Sequence, residues 1–277
     1  MIALGLALAA ASAVAINVGY RLQHTAASSL PPLSPRRPVR SLRALSRSQR
    51  WLAGFLGGIG GWALYVVALE LAPLSVVQAA SAGGIGVLAL GNGRLSGAER
   101  VGVGAALAGL LLLAVSLGAR AEAGPGAPTA VAAWLAASVL VAALATRALR
   151  GGAGLGTAAG VLYAAGDVGT KAAVGGGARL WFVPALLACH GLAFVCLQLA
   201  FQRGGRLATA GLAVLWTNAL PILAGTVLFG EPLPHGWRGA ARVAAFALVL
   251  VGAVALSRLD PEPPFDALGG AARISID

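Results

Sequence analysis

The sequence predicts an all-α membrane protein of about nine transmembrane helices in two inverted repeats. Composition is the first reason: 58% of the 277 residues are apolar, 10% are charged, and the mean hydropathy is +0.84. A chain of this kind cannot hide its apolar surface from water as a globule, so it belongs in a lipid bilayer. The other two reasons are a series of long apolar runs and a motif that occurs twice.

Each apolar run is long enough to cross a hydrocarbon core of about 30 Å, which takes roughly 17–25 helical residues. In chain order the runs cover 2–20, 51–70, 73–91, 101–118, 129–146, 155–174, 180–201, 207–229 and 239–256. The boundary between the second and third runs is a short turn marked by Pro73. The first run has the length of a signal peptide but no positive n-region, so we interpret it as a retained span.

A repeated motif indicates that the two halves are copies. Asn17-Val18-Gly19-Tyr20-Arg21 closes the first run, and Asp167-Val168-Gly169-Thr170-Lys171 closes a run in the middle of the chain. Four spans plus one linking span precede the second copy, so the copies have opposite orientations and place a substrate site between them near the bilayer midplane. The predicted units are a first repeat over 1–128, a linking span over 129–150, a second repeat over 151–257 and a tail over 258–277.

Basic residues predict the orientation of a multi-pass protein of the plasma membrane. With the N-terminus outside, 15 basic residues lie in inside segments and 5 in outside segments, which is the positive-inside bias. The loop over 24–50 is then cytoplasmic, like the C-terminal tail, while Glu122 and Glu231 face outward. This loop is rich in Pro, Ser and Arg; it is a solvated segment or, alternatively, contacts anionic lipid headgroups.

Asp167 is the one carboxylate well inside an apolar run, where an ionised group is costly and should face a partner or a cavity. Lys171 lies four residues on, at a spacing that favours pairing. Two interpretations stay open. In the first, the two residues form an ion pair that fixes helix packing. In the second, Asp167 is a site for a proton or a cation, including a metal ion, and Lys171 is its counter-charge.

Other polar residues are secondary candidates for the transport pathway. Asn17 and Arg21 hold the matching places in the first repeat. Gln198, His190 and Asn218 lie inside runs, where a polar side chain more often bonds a neighbouring helix than a ligand.

Aromatic and glycine residues give weaker signals. The rings of Trp62, Tyr65, Phe194 and Trp216 are candidates for lining a pocket, whereas Trp51 at a run's edge fits an interfacial belt. The sequence GFLGGIGG over 54–61 pairs Gly54 with Gly58 and Gly57 with Gly61, which predicts close helix packing or, alternatively, a hinge.

Enzyme and nucleic-acid functions find no support in the sequence. It contains no HExxH, GxSxG or P-loop motif, and no cofactor is expected. The net charge of +11 comes from arginines that lie mostly between the apolar runs, where membrane topology explains them, so we expect no nucleic acid partner. The expected partners are a small-molecule or cation substrate and the lipid bilayer, with a homodimer left open.

The chain resembles a known transporter superfamily over about residues 5 to 257. The segment from Phe229-Gly230-Glu231-Pro232-Leu233-Pro234 through GAARVAAFALVLVGAVAL resembles the end of an EamA-type repeat of the drug/metabolite transporter superfamily. The order of Asn17, Gln23, Trp51, Ala72-Pro73-Leu74, Gly169-Thr170-Lys171 and Gln198…Phe201-Gln202 resembles the NIPA branch, described as magnesium transporters with nine spans.

The resemblance implies a secondary transporter that works by alternating access between inverted halves. A small metabolite or organic solute is the first expectation, because a magnesium pathway favours acidic, oxygen-rich sites and here only Asp167 is deep. Magnesium or another divalent cation is the alternative. A non-transporting scaffold or lipid-handling partner is the hypothesis from another class, and it would need no aqueous cavity around Asp167.

Overall fold

The computed structural model describes most of the chain as helices. The described residues are 2–34, 36–71, 81, 84–90, 95–116, 126–174, 177–230 and 235–258, and they contain no strand. The all-α prediction is therefore confirmed. The helices are α1 (Ile2–Ser28), α2 (Pro38–Ser46), α3 (Gln49–Leu71), α4 (Gly84–Leu90), α5 (Gly97–Ser116), α6 (Pro128–Ala148), α7 (Gly151–Val174), α8 (Phe182–Phe201), α9 (Leu212–Leu228) and α10 (Trp237–Ser257).

Local sequence explains where several helices begin. A proline occupies the first turn of α2 and of α6, where its missing N–H costs nothing. At the start of α5, Ser96 and Glu99 form a reciprocal capping box: the Ser96 amide donates to Glu99 Oε2 over 2.7 Å, and the Glu99 amide donates to Ser96 Oγ over 3.2 Å. A 3₁₀ turn, Gly177–Trp181, leads into α8, and a π turn, Leu207–Gly211, leads into α9.

The outer surface is that of a membrane protein. Large apolar side chains on the helices are exposed, among them Leu140 at 60%, Leu187 at 62% and Val243 at 73%, as expected where lipid replaces water around the protein. Within the described ranges, five segments are long and apolar enough to cross a bilayer: Ala3–Ser28, Pro128–Ala148, Arg179–Phe201, Leu207–Leu228 and Trp237–Ser257. Nine spans and the inverted repeats stay predictions.

Some predictions fall outside the described residues. Most of the predicted third span, over 73–91, does so, as do Glu122, Glu231 and the tail from 259 onward.

Helix α1 continues beyond its predicted end. The first span was predicted to stop at residue 20, with a loop from 24, but α1 runs to Ser28 and α2 forms inside the same loop. His24 therefore lies in a helix, where it is 8% exposed and its Nε2 is 3.0 Å from the Gly204 carbonyl oxygen. This contact with the second half of the chain satisfies a polar residue that the sequence alone assigns to water.

Arg242 is a buried cation inside a predicted span. It lies within α10, in the apolar run over 239–256, and is 7% exposed. Its Nε donates to Ser116 Oγ over 3.3 Å, and its Nη1 donates to Thr226 Oγ1 over 3.0 Å. A buried guanidinium needs such partners, and they come from two other helices that no local pattern identifies.

Candidate functional site

A cavity of about 440 Å³ lies between α1, α3, α7, α8 and α9. Pockets of about 300–1,000 Å³ are the usual size for small-molecule ligands. The residues around it are Ser12, Ala13, Ile16, Asn17, Tyr20, Gln23, Phe55, Gly58, Ile59, Trp62, Tyr65, Ser81, Tyr163, Asp167, His190, Phe194, Leu197, Val214, Thr217 and Asn218. They are mostly apolar or aromatic, with a few polar groups among them, which is the composition typical of ligand sites.

The side chains of Asp167 and His190 lie next to each other in the lining of the cavity. Asp167 Oδ1, on α7, lies 3.5 Å from His190 Nε2, on α8, and both side chains are about one-third exposed, at 34% and 32%. The ring of Tyr163 meets the His190 ring edge-on, with 5.9 Å between centroids. Gly166 makes room for this arrangement, since a Cβ at that position would overlap the His190 ring.

The other nitrogen of His190 defines the state of the ring. Nδ1 lies 2.9 Å from the Leu186 carbonyl oxygen one turn earlier in α8. A carbonyl oxygen can only accept, so Nδ1 carries a hydrogen and Nε2 is the atom turned to Asp167. A backbone carbonyl thus fixes the tautomer, as it often does for functional histidines.

Two asparagines of the lining use their amide nitrogens on backbone carbonyls of their own helices. Asn17 Nδ2 donates to the Ala13 carbonyl over 2.8 Å, and Asn218 Nδ2 donates to the Val214 carbonyl over 2.7 Å. Because the amide nitrogen is used in each case, the oxygen is the group left for other partners. Asn17 is 3% exposed, and its Oδ1 has no hydrogen-bond partner among the described residues. Ser12 is another lining residue, and its hydroxyl oxygen is also buried without a hydrogen-bond partner among the described residues.

Aromatic rings form much of the remaining wall. Trp62, Tyr65 and Phe194 line the cavity, as the sequence suggested. The fourth candidate, Trp216, packs against the helical core. The Phe55 and Phe194 rings meet edge-on with 5.7 Å between their centroids, which gives the cavity a firm apolar side.

A buried amide chain supports that side from behind. Trp51 Nε1 donates to Gln198 Oε1 over 2.7 Å, and Gln198 Nε2 donates to Gln23 Oε1 over 2.7 Å. Trp51 is only 2% exposed and stacks on Phe55, so its predicted interfacial role is wrong. Gln198 does not line the cavity, but its hydrogen bond positions Gln23, which does line it.

The structure divides the seven predicted site residues into two groups. Asp167, His190, Asn17 and Asn218 line one cavity, although they come from four helices. Gln198, Lys171 and Arg21 lie outside the lining. The Lys171 ammonium lies over the Phe229 ring, 4.3 Å from its centroid, whereas the close ionisable neighbour of the Asp167 carboxylate is His190 on another helix.

Sequence reasoning missed Ser12, Tyr20 and Tyr163 as lining residues. A signal existed only for Tyr20, which lies inside the repeated motif over 17–21. Among the residues that the structure describes, Asp167 is the one carboxylate in the lining, and no cluster of three or more His, Cys, Asp or Glu residues could hold a metal ion. Comparisons with family models, with curated proteins and with solved structures found no match to this chain.

Proposed function

We propose that this protein is a secondary transporter of the drug/metabolite type, which moves a small solute through the cavity by alternating access. The observation that carries the proposal is that the repeat-matched positions 17 and 167 line the same cavity. Transporters built from inverted repeats bind their substrate between the repeats, and the predicted repeats meet at these two residues.

The walls of the cavity support the proposal. Helices α1 and α3 belong to the predicted first repeat, and α7, α8 and α9 belong to the second. An acid–base pair in a cavity is expensive to maintain in a membrane interior unless it serves a solute. A scaffold or a lipid-handling partner would not need it.

The small solute is favoured over magnesium by the cavity's chemistry. Mg²⁺ prefers oxygen ligands in near-octahedral geometry and is usually held by one or two carboxylates with water. The described part of the lining offers one carboxylate, and His190 lies 3.5 Å from it. Most of the remaining wall is apolar. Divalent cation transport therefore stays the alternative, to be separated by the same experiment.

Uptake and efflux in proteoliposomes test the proposal. The purified full chain is given a panel of small metabolites, organic amines and divalent cations, beside an Asp167→Asn variant. We expect transport of at least one organic solute and its loss in the variant. Glu99→Gln is the matched control, because Glu99 caps the start of α5 and does not line the cavity. If the wild-type protein moves no member of the panel, or a stable Asp167→Asn variant transports normally, the proposed mechanism is refuted.

A further inference from the structure

We propose that the cavity binds a protonated primary amine, whose ammonium group takes the place of one proton held between Asp167 and His190. The binding step depends only on the cavity. The consequence for transport, exchange of one amine for one proton, rests on the proposed function.

The geometry of the acid–base pair favours a shared proton. His190 Nδ1 uses its hydrogen on the Leu186 carbonyl at 2.9 Å, so a neutral ring would turn the lone pair of Nε2 toward Asp167 Oδ1, 3.5 Å away. Two acceptors at this distance repel each other. One proton, on either atom, converts the contact into a charge-assisted or neutral hydrogen bond. The pair therefore holds one proton beyond the ring's own N–H.

Few other ionisable groups face this pair. Tyr163 comes from α7 itself, Tyr20 from α1 and Tyr65 from α3, and these phenols are the remaining ionisable side chains among the described residues of the lining. Helix α9 contributes only Val214, Thr217 and Asn218, and α6, which also packs against α7, contributes no lining residue. Two nearby ionisable residues are not part of the lining: Cys189, which precedes His190 in the chain and is buried, and Lys171, whose ammonium lies over the Phe229 ring. A cation entering the cavity thus meets one acidic group.

The polar wall selects a ligand that donates hydrogen bonds. The amide nitrogens of Asn17 and Asn218 are already committed to the Ala13 and Val214 carbonyls, at 2.8 and 2.7 Å. Their oxygens accept only, and Asn17 Oδ1 is buried without a partner among the described residues. An acceptor left unpaired beside a bound ligand costs free energy, so the wall favours a ligand that donates hydrogen bonds where the cavity reaches these oxygens. Anions and acceptor-rich solutes cannot do so.

A primary ammonium group fits these requirements in number and in charge. Before binding, the pair with its proton is neutral overall. After binding, that proton has left to solvent, Asp167 is an ionised carboxylate, His190 is neutral with a free Nε2 lone pair, and the ligand carries the one positive charge. Its three N–H groups can serve the carboxylate, Nε2 and one amide oxygen. A quaternary ammonium has no N–H, so it would leave all three acceptors unpaired.

The aromatic wall suits the rest of such a ligand. Trp62, Tyr65, Phe55 and Phe194 present ring surface to the same cavity as the pair. Rings of this kind hold an apolar body and attract a nearby cation. We therefore expect an arylalkylamine to bind better than a small polar amine.

Titration calorimetry on the purified full chain tests the inference. The ligands are 2-phenylethylamine, its N,N,N-trimethyl derivative and 2-phenylethanol, each measured in two buffers of different ionisation enthalpy. We expect the primary amine to bind at least ~10-fold more tightly than the other two. Its binding should release close to one proton at some point between about pH 5 and pH 8, where such pairs titrate. Asp167→Asn should weaken amine binding by roughly 10- to 150-fold and end the proton release, while Glu99→Gln should change neither.

The results separate the amine-binding inference from the proposed transport function. Equal affinity for the trimethyl derivative, or amine binding without proton release at any pH in that range, would overturn the inference, even if Asp167→Asn does not fold. Transport of a neutral solute without amine binding would overturn the inference but leave the proposed function standing. Transport of Mg²⁺ alone, without amine binding, would overturn both in favour of the divalent-cation alternative. Amine binding in detergent by a protein that transports nothing in liposomes would refute the proposed function and leave the binding site.

Discussion

Replacing Gly54 by alanine should destabilise the contact between α1 and α3. A Cβ at Gly54 would lie 2.6 Å from the Gly19 carbonyl oxygen and 2.9 Å from Leu22 Cβ. Ordinary contacts of this kind begin at 3.4 Å, so the two backbones must separate by about 0.8 Å. Both obstacles lie at or next to the backbone and cannot rotate away. Overpacking of this kind costs ~1–3 kcal/mol.

Gly57→Ala is the matched control three residues away in the same helix. A Cβ at Gly57 meets nothing within 4 Å, so this substitution shows only the intrinsic gain of alanine over glycine in a helix, ~0.5–1 kcal/mol. The same gain offsets part of the cost at Gly54, which leaves a net destabilisation of about 0.5–2 kcal/mol. The two variants should therefore shift stability in opposite directions.

Thermal unfolding of the purified protein, followed by tryptophan fluorescence, measures both effects. For a chain of this size each kcal/mol moves Tm by about 2–4 °C. We expect a fall of several degrees for Gly54→Ala and no fall for Gly57→Ala. Gly19→Ala strikes the same contact from the other helix, so the double variant should cost less than the sum of the singles. If the Gly54→Ala and Gly57→Ala variants have the same Tm, then α1 and α3 do not touch at Gly19 and Gly54, and the close helix contact is refuted.

Two further predictions rest on single contacts, and a third rests on the predicted membrane topology. Gly166→Ala should displace the His190 ring, because a Cβ there overlaps it, and calorimetry should show weakened amine binding in a protein whose melting changes little by comparison. Gln198→Leu removes the shared partner of Trp51 and Gln23 and should lower stability by ~1–3 kcal/mol for each group left unpaired, with a shifted Trp51 emission; unchanged melting and emission would contradict this. A Ser41→Cys variant should react with an impermeant thiol reagent only after cells are permeabilised, because the predicted loop over 24–50 is cytoplasmic, and labelling of intact cells would refute the orientation.

The membrane character and the helices were predictable because they depend on local composition. Apolar runs of sufficient length identify α6, α8, α9 and α10 nearly to their ends. The end of α1 was not predictable, since its last turns are kept helical and buried by contacts such as that of His24 with Gly204, 180 residues away. Sequence hydropathy reports the average preference of a segment for water and carries no information on such partners.

The candidate site was predicted in its members more than in its pairing. Depth within an apolar run identified Asp167 and His190 separately, because a polar residue there is costly wherever it points. The rule that residues four apart share a helix face then suggested Lys171 as the partner. Contacts within one helix are readable from spacing, but the approach of α8 to α7, which brings His190 to 3.5 Å from the carboxylate, depends on how the helices pack.

The glycines of α3 bear on the proposed mechanism, because the sequence left open whether they serve packing or a hinge. A Cβ at Gly61 would lie 2.8 Å from Ile16 Cγ1 and 3.1 Å from the Ile16 amide nitrogen, and Gly54 is similarly enclosed. The glycines that pack against α1 are therefore Gly54 and Gly61, two turns apart, and not the predicted pairs at i and i+4. Gly57 and Gly60 face open space.

This packing bears on how the helices move. A glycine enclosed on one side by a neighbouring backbone cannot bend freely, so α1 and α3 should move as one body. The cavity lies between this pair and the helices α7, α8 and α9. A change of access under the proposed mechanism would then occur where these two bodies meet, at the wall that carries Asn17 on one side and Asp167 on the other.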